Sequence, residues 1–182
     1  EEIAEVARSY GVEVPFMRPP ELAEDLTPDL PVFQHALQWL KEKEGYEPEA
    51  IVHLRPTTPL KSAADIDKGV ELLLNNTDVD SVRSVCRPSH TPFKMYQLEE
   101  GDKFLKPLLL KVYPEVFAKY PEAFNLPRQL LPQVWRHSGY VDVIRSHVIL
   151  EKNSMSGTKI LPLFFEEWRD IDIDSLKELK YA

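Results

Sequence analysis

Near the end of the chain three aspartates alternate with two isoleucines, Asp170-Ile171-Asp172-Ile173-Asp174, and Ser175 follows. In an extended segment successive side chains point to opposite faces, so the three carboxylates would share one face and the isoleucines the other. Carboxylates crowded that closely repel one another, and a hard, oxygen-seeking cation such as Mg²⁺ relieves the repulsion. Mg²⁺ is usually held by one or two carboxylates together with substrate phosphate oxygens, so the chemistry this pattern suggests is phosphate handling. A second reading needs no metal: Asp174 or Ser175 caps a helix over Ser175–Tyr181 and the other acids are solvated. On spacing alone both readings stay open.

The rest of the chain constrains what such a site could serve. A formal net charge of −8 disfavours bulk binding to nucleic acid or to an anionic membrane. An anionic substrate would therefore need a local cluster of arginines and lysines, or a metal. With 182 residues, 43% hydrophobic and 29% charged, the chain suits one soluble globular domain, or a domain plus an excursion. The single cysteine, Cys86, excludes an intrachain disulfide and a cysteine-rich zinc site, and its apolar surroundings suit a buried core thiol. The six glycines form neither a dinucleotide fingerprint nor a Walker-type phosphate loop. No serine, histidine and acid stand in a recognisable nucleophile setting. No run is long and apolar enough to cross a membrane and no secretory signal is visible, so a cytoplasmic address is expected.

The elements that must position the acidic stretch read as an alternation. Glu1–Tyr10 is predicted helical, with Ile3, Val6 and Tyr10 on one face and Gly11 as its stop. It has no capping residue and no initiator methionine ahead of it, and the expectation is that an upstream segment is not included. Val12–Met17 is predicted as a short strand ended by Arg18-Pro19-Pro20. Thr27-Pro28 opens a helix whose apolar face carries Leu30, Phe33, Leu37 and Leu40 as far as Gly45; His35 within it reads as a surface residue. Ala50–Leu54 reads as a buried strand running into the rigid loop Arg55-Pro56-Thr57-Thr58-Pro59-Leu60, at the strand edge where open α/β sheets bind ligands. Ser62 caps a further helix with Ile66, Val70 and Leu73 inward, and Asp80–Cys86 is the next strand. This order predicts a doubly wound, mostly parallel α/β sheet.

From about residue 88 to 138 the alternation stops. A hairpin is predicted over His90–Phe104 with Glu100-Gly101-Asp102 at its turn, followed by an irregular stretch rich in aromatics and prolines that carries Arg128. Such a surface suits a dimer contact, and its alternative is a lid over the chain's own core. Gly139–Ile144 resumes the sheet, Arg145–Leu150 is a short helix, and Ile160–Phe165 is a last strand before the aspartates.

Six separated segments occur in an order that matches one family: Arg18-Pro19-Pro20-Glu21-Leu22, His53-Leu54-Arg55-Pro56-Thr57-Thr58-Pro59-Leu60, His90-Thr91-Pro92-Phe93-Lys94, Leu126-Pro127-Arg128-Gln129, Ser138-Gly139-Tyr140-Val141-Asp142 and Asp172-Ile173-Asp174-Ser175. Together they resemble the acylneuraminate cytidylyltransferases over almost all of the chain. The resemblance implies a single domain over 1–182 with a nucleotide-diphosphosugar transferase-like fold and a dimerisation excursion. It implies a homodimer that couples CTP to a sialic acid or related nonulosonic acid with Mg²⁺, giving a CMP-sugar and pyrophosphate. By that likeness Asp172 and Asp174 match the catalytic metal carboxylates. Arg18 falls where the family approaches the nucleotide, and Arg55, Lys94 and Arg128 fall where it contacts the sugar acid.

Two differences from the family pattern stand out. Arg55 and Ser138 occupy positions where the sialic acid enzymes usually carry glutamine and asparagine, so which nonulosonic acid is the sugar stays open. The family's first strand and its phosphate-cradling loop of glycine, serine and lysine have no counterpart here, so an N-terminally incomplete chain is expected. Two other readings compete. One is a metal-dependent glycosyltransferase, which would release a nucleoside diphosphate. The other is a truncated, inactive dimerising module.

Overall fold

In the computed structural model, residues 2–180 are described. The order of elements is helix α1 (Glu2–Ser9), helix α2 (Asp29–Glu44), strand β1 (Ala50–His53), helix α3 (Ala63–Leu74), strand β2 (Ser81–Cys86), strands β3 (Tyr96–Gln97) and β4 (Lys106–Pro107), helix α4 (Pro114–Lys119), strand β5 (Arg136–Arg145), helix α5 (Ser146–Leu150), strand β6 (Ile160–Phe164) and helix α6 (Leu176–Leu179). Glu1 and Tyr181, each included in a predicted helix, lie outside the described residues. The fold is mixed α/β, with a four-stranded sheet ordered β1-β5-β2-β6 and a separate two-stranded ribbon of β3 and β4. In the sheet β1 pairs antiparallel with β5, Ala50 opposite Arg145 and His53 opposite Asp142.

The chain divides into two compact units. The first comprises Glu1–Leu54, Ser62–Arg83 and Val141–Pro162; the second comprises Arg55–Lys61, Ser84–Tyr140 and Leu163–Ala182.

Within the first unit the predicted faces of α2 and α3 hold, whereas the predicted apolar face of the first helix, Ile3, Val6 and Tyr10, is exposed. Leu37 of α2 is buried with Ile144, Val148 and Ile149, and Leu30 and Phe33 pack against that cluster. Helix α2 ends at Gly45, whose left-handed conformation (φ 63°) lets its N–H reach the last carbonyls. Ser62 caps α3 by accepting the Asp65 N–H, and Leu73 of that helix is fully buried. Buried Arg145 ties the end of α3 to the sheet by donating to the carbonyls of Val79 (2.9 Å) and Leu73 (2.8 Å), with its charge matched by Glu49 at 2.6 Å. The predicted strand over Val12–Met17 is irregular chain instead. Pro15 in its middle lacks the N–H that a ladder requires.

The second unit contains the excursion, which has its own core. Phe93, Phe117, Ala123 and Leu131 are buried there, with Leu109, Val116, Tyr120, Phe124, Leu126 and Val134 packed around them. The predicted hairpin is a two-residue ribbon, Tyr96 opposite Pro107, whose second strand lies beyond the predicted end at Phe104. Gly101 adopts φ 88° at its turn, a conformation open to glycine. On the outside of this core Leu98, Phe104, Leu105 and Val112 are exposed.

The tightest polar knot in the first unit surrounds Asp80, which is buried. Its carboxylate takes Lys152 at 2.5 Å and the backbone N–H groups of Thr158 (2.8 Å) and Lys159 (3.0 Å). Those bonds, the lysine's first, hold the carboxyl well below its usual range. Gly157 (φ 65°) passes so close that a Cβ there would overlap the Asp80 side chain. Gly157→Ala is therefore expected to destabilise the fold by about 1–3 kcal/mol in chemical denaturation, from left-handed strain plus overlap; an unchanged midpoint would contradict this packing. Because the folded state lowers the Asp80 pKa, its stabilisation is present above the unfolded carboxyl value of about 4 and is lost as pH falls through the folded one. Stability measured below about pH 4 should accordingly fall less steeply in Asp80→Asn than in the parent chain.

Candidate functional site

The loop after β1 and the acidic stretch meet in the second unit. The N–H of Ile173 donates to the carbonyl of Thr57 at 2.8 Å, fastening the Asp170–Asp174 segment to the Arg-Pro-Thr-Thr-Pro-Leu loop. The acidic segment itself is irregular, lying between the 3₁₀ turn Glu167–Arg169 and α6. Its isoleucines are half-buried, as are Asp170 and Asp172, whereas Asp174 is exposed. The three carboxylates accordingly have different surroundings.

The loop is braced from inside. Thr58 is buried, and its hydroxyl lies 3.1 Å from the carbonyl of Arg55 and 3.3 Å from that of Gly139. Lys61 donates to the Arg55 carbonyl at 2.6 Å and to the carbonyl and hydroxyl of Thr58. Tyr140, fully buried and stacked on Phe165 at 4.3 Å, donates its hydroxyl to the Leu60 carbonyl at 3.1 Å. Gly139 turns through φ 72° within β5, and a Cβ there would stand 3.1 Å from the Arg55 side chain. A glycine adopts that backbone without strain and leaves the Arg55 side chain in place. Ser138, buried beside it, donates to Ser84 Oγ at 3.0 Å, so this position serves the sheet.

Charge in this cluster is mixed. Burial, followed by the like charge of Arg55, lowers the Lys61 pKa, while Asp172 acts in the opposite direction. Asp172 Oδ1 is buried and has no hydrogen-bond partner. A buried carboxylate oxygen left unpaired is costly, and a cation is one of the few partners that would satisfy it. Asp174 presents an exposed carboxylate two residues on, while its own N–H donates to Glu178 at 3.0 Å. Ser175 caps α6, accepting the Glu178 N–H at 3.4 Å. The helix-cap reading thus holds for Ser175, while Asp172 keeps an oxygen available. The two aspartates offer the hard oxygen donors that suit Mg²⁺. Among the described residues, no group of three or more His, Cys, Asp or Glu is arranged to hold a metal, so these two would need water and phosphate oxygens to complete a shell.

Asp170 has one oxygen paired, while its Oδ1, like that of Asp172, is buried without a hydrogen-bond partner. Its Oδ2 accepts from Arg136 and lies 3.0 Å from Cys86 Sγ. Of the basic residues singled out in the sequence, Arg55 belongs to the loop cluster. Arg128 stands on the 3₁₀ turn Arg128–Leu130, where it lines a separate depression of about 390 Å³ with Arg87. Lys94 is exposed at the end of the 3₁₀ turn Pro92–Lys94, which is anchored by buried Phe93. Arg18 belongs to the first unit and is exposed just before the turn Pro20–Leu22. Sequence reasoning missed Lys61, Arg87, Arg136 and the bracing role of Tyr140. The first of these follows the loop motif directly, which was the available signal.

Burial, then the hydrogen bond and charge of Asp170, push the Cys86 thiol up to about 11. The thiol is therefore neutral at pH 8, and alkylation by iodoacetamide should be at least about tenfold slower than in the unfolded chain. Asp170→Asn removes the carboxylate's share and leaves burial in place, so the reactive fraction should rise at a lower pH. A native-state rate equal to the unfolded one would show that Cys86 is not held this way.

No family model matches the chain. It is similar to the post-translational flagellin modification protein B of Campylobacter coli, with 25% identity over 180 residues, covering 99% of this chain and 71% of that protein.

Proposed function

We propose that this chain is a nucleotidyltransferase of the acylneuraminate cytidylyltransferase type, with a doubly wound, nucleotide-diphosphosugar transferase-like sheet. It would transfer CMP from CTP to a 2-keto sugar acid of the nonulosonic class. The observation that carries this reading is the Ile173–Thr57 bond, which brings Asp172, with its unpaired buried oxygen, to the loop that holds Arg55 and Lys61. The similarity to a flagellin modification protein supports it. Covalent modification of a protein needs an activated donor, and a CMP-sugar is one.

In the proposed reaction the anomeric hydroxyl of the sugar attacks the α-phosphorus of CTP. An O–P bond forms, the bond to the pyrophosphate oxygen breaks, pyrophosphate leaves with the electron pair, and the hydroxyl proton passes to water. The enzyme's tasks are to align these groups and to offset the charge on the phosphate oxygens. Asp172 and Asp174 would hold Mg²⁺, which when bound supplies that charge compensation. Arg55 offers a planar fork suited to the sugar carboxylate, and Gly139 keeps its side chain against β5. Lys61 fixes the loop while adding positive charge beside Asp172. Lys94 and Arg128 would contribute to the sugar acid and Arg18 to the nucleotide. The exposed apolar residues of the excursion, Leu98, Phe104, Leu105 and Val112, support a homodimer built through that surface.

The test is pyrophosphate release from CTP and Mg²⁺ with a panel of nonulosonic acids, using the 182-residue chain and the product of the full reading frame that encodes it. Asp172→Asn and Asp174→Asn should each lower turnover roughly 100-fold or more while leaving the thermal midpoint nearly unchanged. Full activity in either variant would remove that residue from the metal site. Release of a nucleoside diphosphate from a nucleotide sugar would replace this reading with a glycosyltransferase. A folded protein with neither activity would be left as an interaction module.

A further inference from the structure

A row of charged side chains in the first unit lies on the sheet face that α2 covers. Asp142 of β5 shares that face with Ile144, two residues on, and Ile144 packs with Leu37 of α2. Asp142 is fully buried, and a carboxylate so placed requires cationic or hydrogen-bonding partners. On one side β2 brings Arg83, whose Nη2 lies 3.9 Å from Asp142 Oδ2. On the other side His53 of β1 stands directly opposite Asp142 in the register, where facing side chains meet. The His53 ring is 12% exposed and lies 4.7 Å from the ring of Phe33 on α2. Its Nδ1 is 4.0 Å from Oδ2 of Asp29, in the first turn of that helix. Basic and acidic side chains thus alternate from Arg83 through Asp142 and His53 to Asp29.

Two carboxylates and one guanidinium leave this row with an excess negative charge. A proton on His53 removes the excess, and the imidazolium then has an acid on either side. Burial opposes a charged ring, and so does Arg83, which acts only from beyond Asp142. The flanking acids favour it, and inside a fold their attraction is little screened. We propose that His53 is a buried proton-binding site whose charged ring clamps the first turn of α2 to β1 and β5, as a pH-sensitive link. The clamp is set while the ring is charged. It loosens as pH rises, because Asp29 and Asp142 then lose the cation they share. His53 is the last residue of β1, and the loop that carries Arg55 leaves the strand one residue later. The clamp requires neither nucleotide nor sugar.

The experiment is an NMR titration of the five imidazole rings in the whole chain, with His53→Gln identifying the signal of interest. Circular dichroism verifies that each variant is folded. The expected result is a His53 midpoint above the ordinary imidazole value of about 6.5. Asp142→Asn should bring it down, and Asp29→Asn should do so less, because Asp29 is exposed to water. Urea unfolding gives a second readout. A folded state that holds the proton more tightly than the unfolded chain is fully stabilised below about pH 6.5 and loses that stabilisation as pH rises through the folded midpoint. Between those two values the unfolding constant of the parent should rise relative to that of His53→Gln by up to about tenfold per pH unit. A His53 ring that titrates at or below the ordinary value overturns the proposal, and the parent chain alone decides this even where Asp142→Asn does not fold. A raised midpoint that neither asparagine variant moves overturns the assignment to these acids. Parallel pH dependence of stability in the parent and His53→Gln overturns the clamp.

Discussion

A backbone hydrogen bond from the Ile173 N–H to the Thr57 carbonyl, together with the Asp170–Arg136 ion pair, holds the acidic segment in place. The segment has no ladder of its own, so this bond, with the half-buried isoleucines on either side of Asp172, sets the position of the carboxylate. The acceptor is well fixed because its loop is rigid by composition, with prolines at 56 and 59, and because Lys61 and Thr58 saturate the carbonyls on its inner side. The buried tyrosine beneath it, Tyr140, adds a further donor at Leu60. A carboxylate on an otherwise irregular stretch is thereby placed with the precision of a scaffold element, which is what a charge-handling site requires.

Electrostatics in the second unit follow from separating acids that the sequence places side by side. Asp170 is drawn to Arg136 and the Cys86 thiol, Asp172 stays near Lys61 and Arg55, and Asp174 faces solvent. Three like charges within five residues would repel strongly if they shared one face. Here Asp170 is paired with an arginine through one oxygen, Asp172 lies near Lys61, both keep a buried unpaired oxygen, and Asp174 is exposed to water. The Cys86 thiol is the counterpart of this arrangement: buried next to a carboxylate, it stays protonated and is unsuited to nucleophilic work.

The excursion is a small body with its own apolar centre, held by Phe93, Phe117, Ala123 and Leu131. This centre explains how so many short turns and so little regular structure can position side chains such as Arg128 and Arg87. The turn Pro92–Lys94 is pinned by buried Phe93, and the turn Arg128–Leu130, which buries none of its own residues, is followed directly by buried Leu131. The apolar residues left outside are more than this centre needs, which is why the proposed function assigns them to a second copy.

The sequence by itself determined the elements whose signals are local. Helix caps at Ser62 and Gly45, the apolar faces of α2 and α3, the turn at Gly101 and the proline-bearing loop after β1 all follow from residue type and spacing. The same holds for the capping role of Ser175. What depends on partners distant in sequence was decided by tertiary structure alone. A short apolar run suggested a strand at Val12–Met17, and alternation suggested one face for all three aspartates, but a strand exists only when another strand pairs with it, and both segments are irregular chain. Lys61, Tyr140 and the Arg87–Arg128 depression were illegible for the same reason. A lysine's role depends on which carbonyls surround it, and two arginines about 40 residues apart acquire meaning only when folding turns them toward one space.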